Sequence, residues 1–279
     1  RVAPHYSHSV VHVIDASRSV PVVNNLLSDN ESVRYAAEVK EEYIKVRAQY
    51  EGHERSKEYL PIAEARDKRF TIDWASEPPV KPKSTGVFPF RNFPIAQLVP
   101  YVDWTPFFMA WELAGKYPKI LKDAVVGEEA TRLFADAQQM LDRIVKENWL
   151  QAHGVAAIWP ANSVGDDIEV YRDGARSETL GRFHSLRQQL KKAPGLPYMA
   201  LADFIAPKNS GTTDHLGGFA VTVGHGVDER AKRFEQAGDD YNAIMLKALA
   251  DRLAEAFAEK LHETVRKELW GYGNSEALS

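Results

Sequence analysis

A chain of 279 residues carrying 35 Lys and Arg against 39 Asp and Glu has a net charge of only −4, with no long run of one sign to form a nucleic-acid-binding face. Its apolar stretches fall well short of the roughly 18 residues that a membrane-spanning helix requires. With no cysteine among these residues, disulfides, thiolate nucleophiles and thiolate zinc sites are excluded from them, and the composition is compatible with the cytoplasm.

In chain order, Val10-Val-His-Val-Ile14 reads as an apolar strand, followed by a polar turn and a helix start running to Val23. That is the grammar of the last βα unit of a doubly wound sheet. A charged helix is expected over residues 31–50, with Val33, Ala37, Tyr43 and Val46 near helical spacing. Prolines 61, 78, 79, 82, 89 and 94 mark residues 52–94 as extended chain wrapping the next domain. A domain boundary is therefore placed near Gly52. The sequence opens at Arg1 without a signal-peptide pattern and stops shortly after a long helix. Both ends read as cuts, so an excerpt of a larger protein is expected.

Tyr101-Val-Asp-Trp-Thr-Pro-Phe-Phe-Met-Ala-Trp111 sets one acid, Asp103, among large aromatics. Thr105 followed by Pro106 reads as a helix start, with a hydroxyl to cap free N–H groups and a proline preset for the first turn. An acid just before an apolar helix is either part of the cap or a hook for a ligand. In a desolvated setting it would bind a cation strongly. An amphipathic helix is then expected over 128–148, with Leu133, Phe134, Ala137, Leu141 and Ile144 on one side. After it the period changes to two, and residues 154–159, 168–171, 198–205 and 218–222 read as strands. A long helix over 239–270 closes the chain, with Leu246, Leu249, Leu253, Phe257, Leu261 and Val265 on one face. These elements describe an α+β domain with an antiparallel sheet flanked by helices.

Several groups invite chemistry. Asp251, Glu255 and Glu259 lie four residues apart on the long helix, and a solvated stripe paired with Arg252 and Lys260 is the plain reading. The alternative is that one of them reaches a ligand beside the sheet. Glu259 and His262 have the Glu-x-x-His spacing of di-iron sites, but a second copy is missing. His5, His8 and His12 lack an acidic partner or zinc spacing, so they read as surface histidines. Asp214-His-Leu-Gly-Gly218 fails the phosphate-loop pattern and reads as a turn entering a strand. Residues 165–173 alternate as a half-buried strand should, and His184 with Arg187 could bind an anion. No nucleophile, base and orienter can be assembled, so no catalytic residue is assigned.

Residues 101–118, Trp159-Pro-Ala-Asn162, residues 165–173, Leu186-Arg-Gln-Gln189, Leu201-Ala-Asp-Phe204 and residues 239–272 occur in an order that resembles the reactivation domain of cobalamin-dependent methionine synthases. Val13-Ile-Asp-Ala-Ser-Arg-Ser-Val20 likewise resembles the tail of that family's cobalamin-binding domain. The resemblance implies a helmet-like α+β domain with a bent antiparallel sheet, preceded by the last βα unit of the cobalamin-binding domain. Residues 1–52 would be that tail and a connecting helix, and 53–279 the activation domain. The family enzyme moves a methyl group from methyltetrahydrofolate through cobalamin to homocysteine. Its activation domain uses S-adenosylmethionine to remethylate oxidised cobalamin, with an electron from a flavodoxin-type partner.

Carried over residue by residue, Asp103 matches the family's acidic S-adenosylmethionine ligand, suited to the ligand's ammonium group. Glu255 matches a second acidic position. The family's Arg-Pro-Ala-Pro-Gly-Tyr segment, which holds the ligand's carboxylate, does not occur within these residues, and Ala193-Pro-Gly-Leu-Pro-Tyr198 is no substitute. The Asp-x-His-x-x-Gly cobalt-ligand motif and the zinc cysteines are also missing, so the cobalamin and zinc of the full enzyme have no ligands here. By itself the piece is expected to show no turnover and to bind S-adenosylmethionine weakly if at all. The alternative is a docking module that caps the cobalamin-binding domain of the same protein and receives the flavodoxin-type donor.

Overall fold

The structure, a computed structural model, describes residues 6, 9–13, 19–28, 30–55 and 58–273. The chain divides into two units, one of residues 1–69 with 187–198 and one of 70–186 with 199–279.

In the first unit, α1 (Ser19–Leu27) packs on α2 (Ser32–Arg55), and α3 (Ile62–Asp67) follows. The strand expected at residues 10–14 is not formed by its described part. A strand needs a neighbour to satisfy its backbone groups, and here the His12 N–H donates to the Tyr43 hydroxyl at 2.6 Å instead. Ile14 and the polar turn lie outside the described residues, as do His5 and His8. Helix α3 also breaks the stretch expected to be extended. Pro61 stands just before its first residue, where a missing N–H costs nothing. The segment 187–198 is tied to residues 58–68 by backbone bonds Leu60 N–H to Gln189 O and Lys191 N–H to Glu58 O, both 2.8 Å.

The second unit contains β1 (Gly86–Phe93), α4 (Trp104–Ala110), α5 (Gly127–Lys146), β2 (Gln151–Val164), β3 (Asp167–Tyr171), β4 (Thr179–His184), β5 (Asp214–His225), α6 (Val227–Gln236) and α7 (Asp240–Thr264). The five strands form one antiparallel sheet in the order β1-β2-β3-β4, with β5 also paired to β2. The α+β reading holds, and α5, α7, β2, β3 and β5 stand where the periodicity puts them. Two strands escape it. Pro89 disguises β1, but β1 is an edge strand, where a proline removes no ladder bond. All six residues of β4 are exposed, so that edge strand has no buried face to leave a period.

Two readings are corrected. Residues 198–205 form no strand. Leu201–Phe204 is a 3-10 turn, closed where Asp203 Oδ2 accepts the Ala200 N–H at 2.9 Å. Gly217 and Gly218 lie within β5 and are not a turn before it. The reason at Gly217 is close approach, because a Cβ there would sit 3.1 Å from the Trp270 ring.

Helix α7 supplies the spine of the core. Leu246, Leu249, Leu253 and Phe257 are fully buried, and Asp239 caps its first turn by accepting the Asn242 N–H at 3.1 Å. The expected single helix to residue 270 changes at Val265 into a π-helical turn, Val265–Trp270, ended by Gly271 at φ +93°. Strap residues 80–84 satisfy the carbonyls of that end. Lys83 N–H reaches Trp270 O, Ser84 N–H reaches Leu269 O, and the Trp270 indole donates to Val80 O. This matters because the last four carbonyls of a helix have no partner of their own.

Where α7 crosses β2, a Cβ on Gly154 would lie 2.9 Å from the Phe257 ring. Gly154→Val should therefore overpack this contact and cost about 1–3 kcal/mol. Urea denaturation would show it as a lower midpoint with an unchanged slope.

Candidate functional site

Asp103 stands between two buried residues, Val102 and Trp104, yet its own side chain is exposed. The expected desolvated setting is thus not found. Its backbone is extended (φ −78°, ψ 113°), and Oδ1 accepts the Thr105 N–H at 2.9 Å, which makes Asp103 the N-cap of α4. The cap therefore falls two residues earlier than the Thr105–Pro106 reading placed it. Thr105 is turned to other use, its hydroxyl accepting the Tyr117 N–H at 3.2 Å. The geometry makes Asp103 a cap through one oxygen and leaves Oδ2 facing solvent with no protein partner among the described residues.

The rest of the motif is core. Phe107 and Phe108 are fully buried, and Trp104 meets Phe134 of α5 edge to face at 4.8 Å. Trp111 meets Tyr241 of α7 at 5.2 Å. Burial and a 2.8 Å hydrogen bond to Asp136 push the Tyr241 phenol up to about 12. Aromatic contacts on three helices thus fix the start of α4 and the cap it carries.

Glu255 is exposed on α7 and sits in a fork. Arg252 Nη1 donates to its Oε2 at 2.7 Å and Nη2 to its Oε1 at 3.0 Å. Nη2 also holds Asp251 at 2.5 Å. Arg252 is itself mostly covered, at 12% side-chain exposure, so it is a fixed post for both acids. No hydrogen bond joins Asp103 to Glu255 among the described residues.

A further acid follows the same spacing. Each four-residue step drifts about 40° around a helix, so the stripe from Asp251 through Glu255 and Glu259 turns Glu263 toward the body of the domain. There it accepts from Lys267 at 2.7 Å, from the Tyr101 hydroxyl, and from Lys260 at 3.2 Å. Those three bonds, in that order of weight, hold its carboxyl down at about 2. The sequence reading stopped at Glu259. The signal it passed over was a fourth acid in register, flanked by Lys260 and Lys267.

Other candidates have internal work. His184 Nδ1 meets Asp167 Oδ1 at 3.0 Å, and Arg187 donates to the Tyr198 carbonyl at 2.6 Å. The His262 ring stacks over Phe219 at 6.4 Å. Among the described residues no group of three or more His, Asp or Glu is placed to hold a metal ion. In β3, Glu169 falls on the side expected to face water but is buried. Lys208 at 2.8 Å holds its carboxyl down at about 2 against the cost of burial, with help from Tyr171 and Arg182.

The second unit is thus an α+β domain that carries two oriented surface acids, Asp103 and Glu255. The comparisons agree on the kind. A family model described as "Vitamin B12 dependent methionine synthase, activation domain" matches residues 94–279. The chain belongs to that family, a domain of a methyltransferase. A crystal structure of the MetH reactivation domain bound to AdoHcy is 53% identical, with a TM-score of 0.76 over 79% of this chain and 67% of that one. Among the described residues no helix is long and apolar enough to cross a membrane.

The lowered pKa values have a consequence for stability. A carboxylate whose folded pKa is depressed stabilises the fold above its unfolded pKa, and that contribution is lost as pH falls through the folded value. The Glu169 and Glu263 contributions should be complete above about pH 4.5 and vanish toward about pH 2. Glu263→Gln is expected to flatten the acid limb of a stability-against-pH curve measured by urea denaturation.

Proposed function

We propose that this chain binds S-adenosylmethionine through Asp103 and Glu255, as the methyl-donor site for remethylation of cobalamin in its parent enzyme. The reading rests on one observation above all. Asp103 is anchored through Oδ1 by the α4 cap, while Oδ2 is open. A carboxylate fixed in this way has already lost its rotamer freedom, so ordering it on a ligand ammonium costs little. The AdoHcy carried by the 53% identical MetH domain supports the ligand class.

The exposed position of Asp103 sets a condition on this chemistry. An ion pair in open water contributes only about 0–1 kcal/mol, whereas a charge-assisted hydrogen bond shielded from water contributes about 1.5–3 kcal/mol. The ligand must itself cover the carboxylate. Glu255, oriented by Arg252, retains lone pairs to accept a ligand N–H or O–H. When bound, the ligand supplies a sulfonium methyl group. The motif residues that would ligate cobalt are absent from this sequence, so cobalamin binding is not assigned to these residues. On the same reading, residues 1–52 are the tail of the cobalamin-binding domain with its connecting helix. Residues 53–279 are the activation domain, and that cobalamin domain and a flavodoxin-type electron donor are its partners.

Asp103→Asn separates cap from charge, because an asparagine oxygen caps as well as aspartate. Its melting temperature should stay within about 2 °C of the parent, while affinity for S-adenosylhomocysteine falls roughly tenfold or more. Calorimetric titration gives the affinity and a thermal melt the stability, both on a form lengthened to the full span of the MetH reactivation domain. Unchanged affinity would remove Asp103 from the site. Asp103→Ala should add a stability loss of about 1 kcal/mol, that of the cap.

A further inference from the structure

The approach to Asp103 is held from outside its own helix. Tyr101, two residues earlier, ends the short 3-10 turn Val99–Tyr101, and Val102 between them is buried. The Tyr101 hydroxyl donates to Glu263 Oε2 across 162 positions of sequence. Lys260 donates to both, at 3.3 Å to the Tyr101 oxygen and 3.2 Å to Glu263, and its ammonium lies 5.4 Å from the centre of the Tyr101 ring. Lys267 closes the cluster from the other side of Glu263 at 2.7 Å. The Glu263 side chain is 18% exposed and that of Lys260 is 24% exposed. These are charges shielded well enough for geometry to matter.

The far end of this cluster is α7, the helix that also carries Glu255. Glu255 and Glu263 are eight residues apart, so they lie about 12 Å apart along one rigid rod. Asp103 can lie no more than about 7 Å of chain from Tyr101. We infer that Tyr101 and Glu263 are positioning residues for S-adenosylmethionine, a lock that fixes Asp103 relative to Glu255 by tying the α4 entry to α7. The inference rests on the site reading given under the proposed function. It goes beyond that reading in naming groups that act on the ligand only through Asp103.

The experiment uses two ligands, S-adenosylhomocysteine and its analogue lacking the α-amino group, titrated into the same lengthened form. Tyr101→Phe keeps the ring beneath Lys260 and removes only the hydroxyl. It should lose roughly tenfold in affinity for S-adenosylhomocysteine and little for the des-amino analogue. It should add nothing further in an Asp103→Asn background. Glu263→Gln should behave alike, and serves should Tyr101→Phe fail to fold by circular dichroism. Equal loss for both ligands would make the cluster merely structural and overturn the lock, as would unchanged affinity in both variants. If the parent protein fails to bind, or Asp103→Asn binds as the parent does, the site reading itself falls and the lock with it. A loss in Asp103→Asn without one in Tyr101→Phe overturns the lock alone.

Discussion

The close approach of α7 to the sheet is the constraint on which the remaining structure of the second unit depends. Two strand positions are reduced to glycine beneath it, Gly154 against Phe257 and Gly217 against Trp270. Any Cβ there would lift the helix. With the helix seated, its buried face completes the core, and its flanks become fixed rails on which polar side chains can be mounted. Arg252, Glu255, Lys260 and Glu263 all stand on these rails. The π-helical end and the strap that satisfies its carbonyls keep the last turn against the sheet.

The candidate site follows from that arrangement. Neither acid is buried. What distinguishes them from ordinary surface carboxylates is restraint. Asp103 is held by a cap, and Glu255 by a covered arginine. Restraint lowers the entropic cost of recognition, and a ligand that excludes water supplies the rest. The strongly perturbed acids, Glu169 and Glu263, are the ones engaged inside the protein. In this domain a strongly lowered carboxyl marks scaffolding.

Much of this was legible in the residues, and the failures have definite causes. Helices α5 and α7 were plain because a buried helix face repeats on its own period, as Leu133, Ala137 and Leu141 or Leu249, Leu253 and Phe257 do. Edge strands β1 and β4 were hidden because they have little to bury, and Pro89 is harmless only once β1 is known to lie at an edge. Residues 198–202 alternate in burial without pairing, and Phe204 is exposed where the period would bury it, so a period of two was partly right about exposure and wrong about the ladder. Asp103 was recognised, first as cap or hook and then by resemblance, but its solvent exposure was not, since neighbours in sequence do not fix what covers a side chain.

By itself the sequence determined the α+β class, the positions of the long helices and the identity of the acid before α4, because helical period and capping chemistry are local. Only the tertiary structure decided which acids work inside the protein and which face solvent. Glu259 and Glu263 differ by one helical step, yet one is exposed and the other is locked to Tyr101 from 162 positions away. No local pattern encodes that difference, because it depends on where α7 lies against the start of α4.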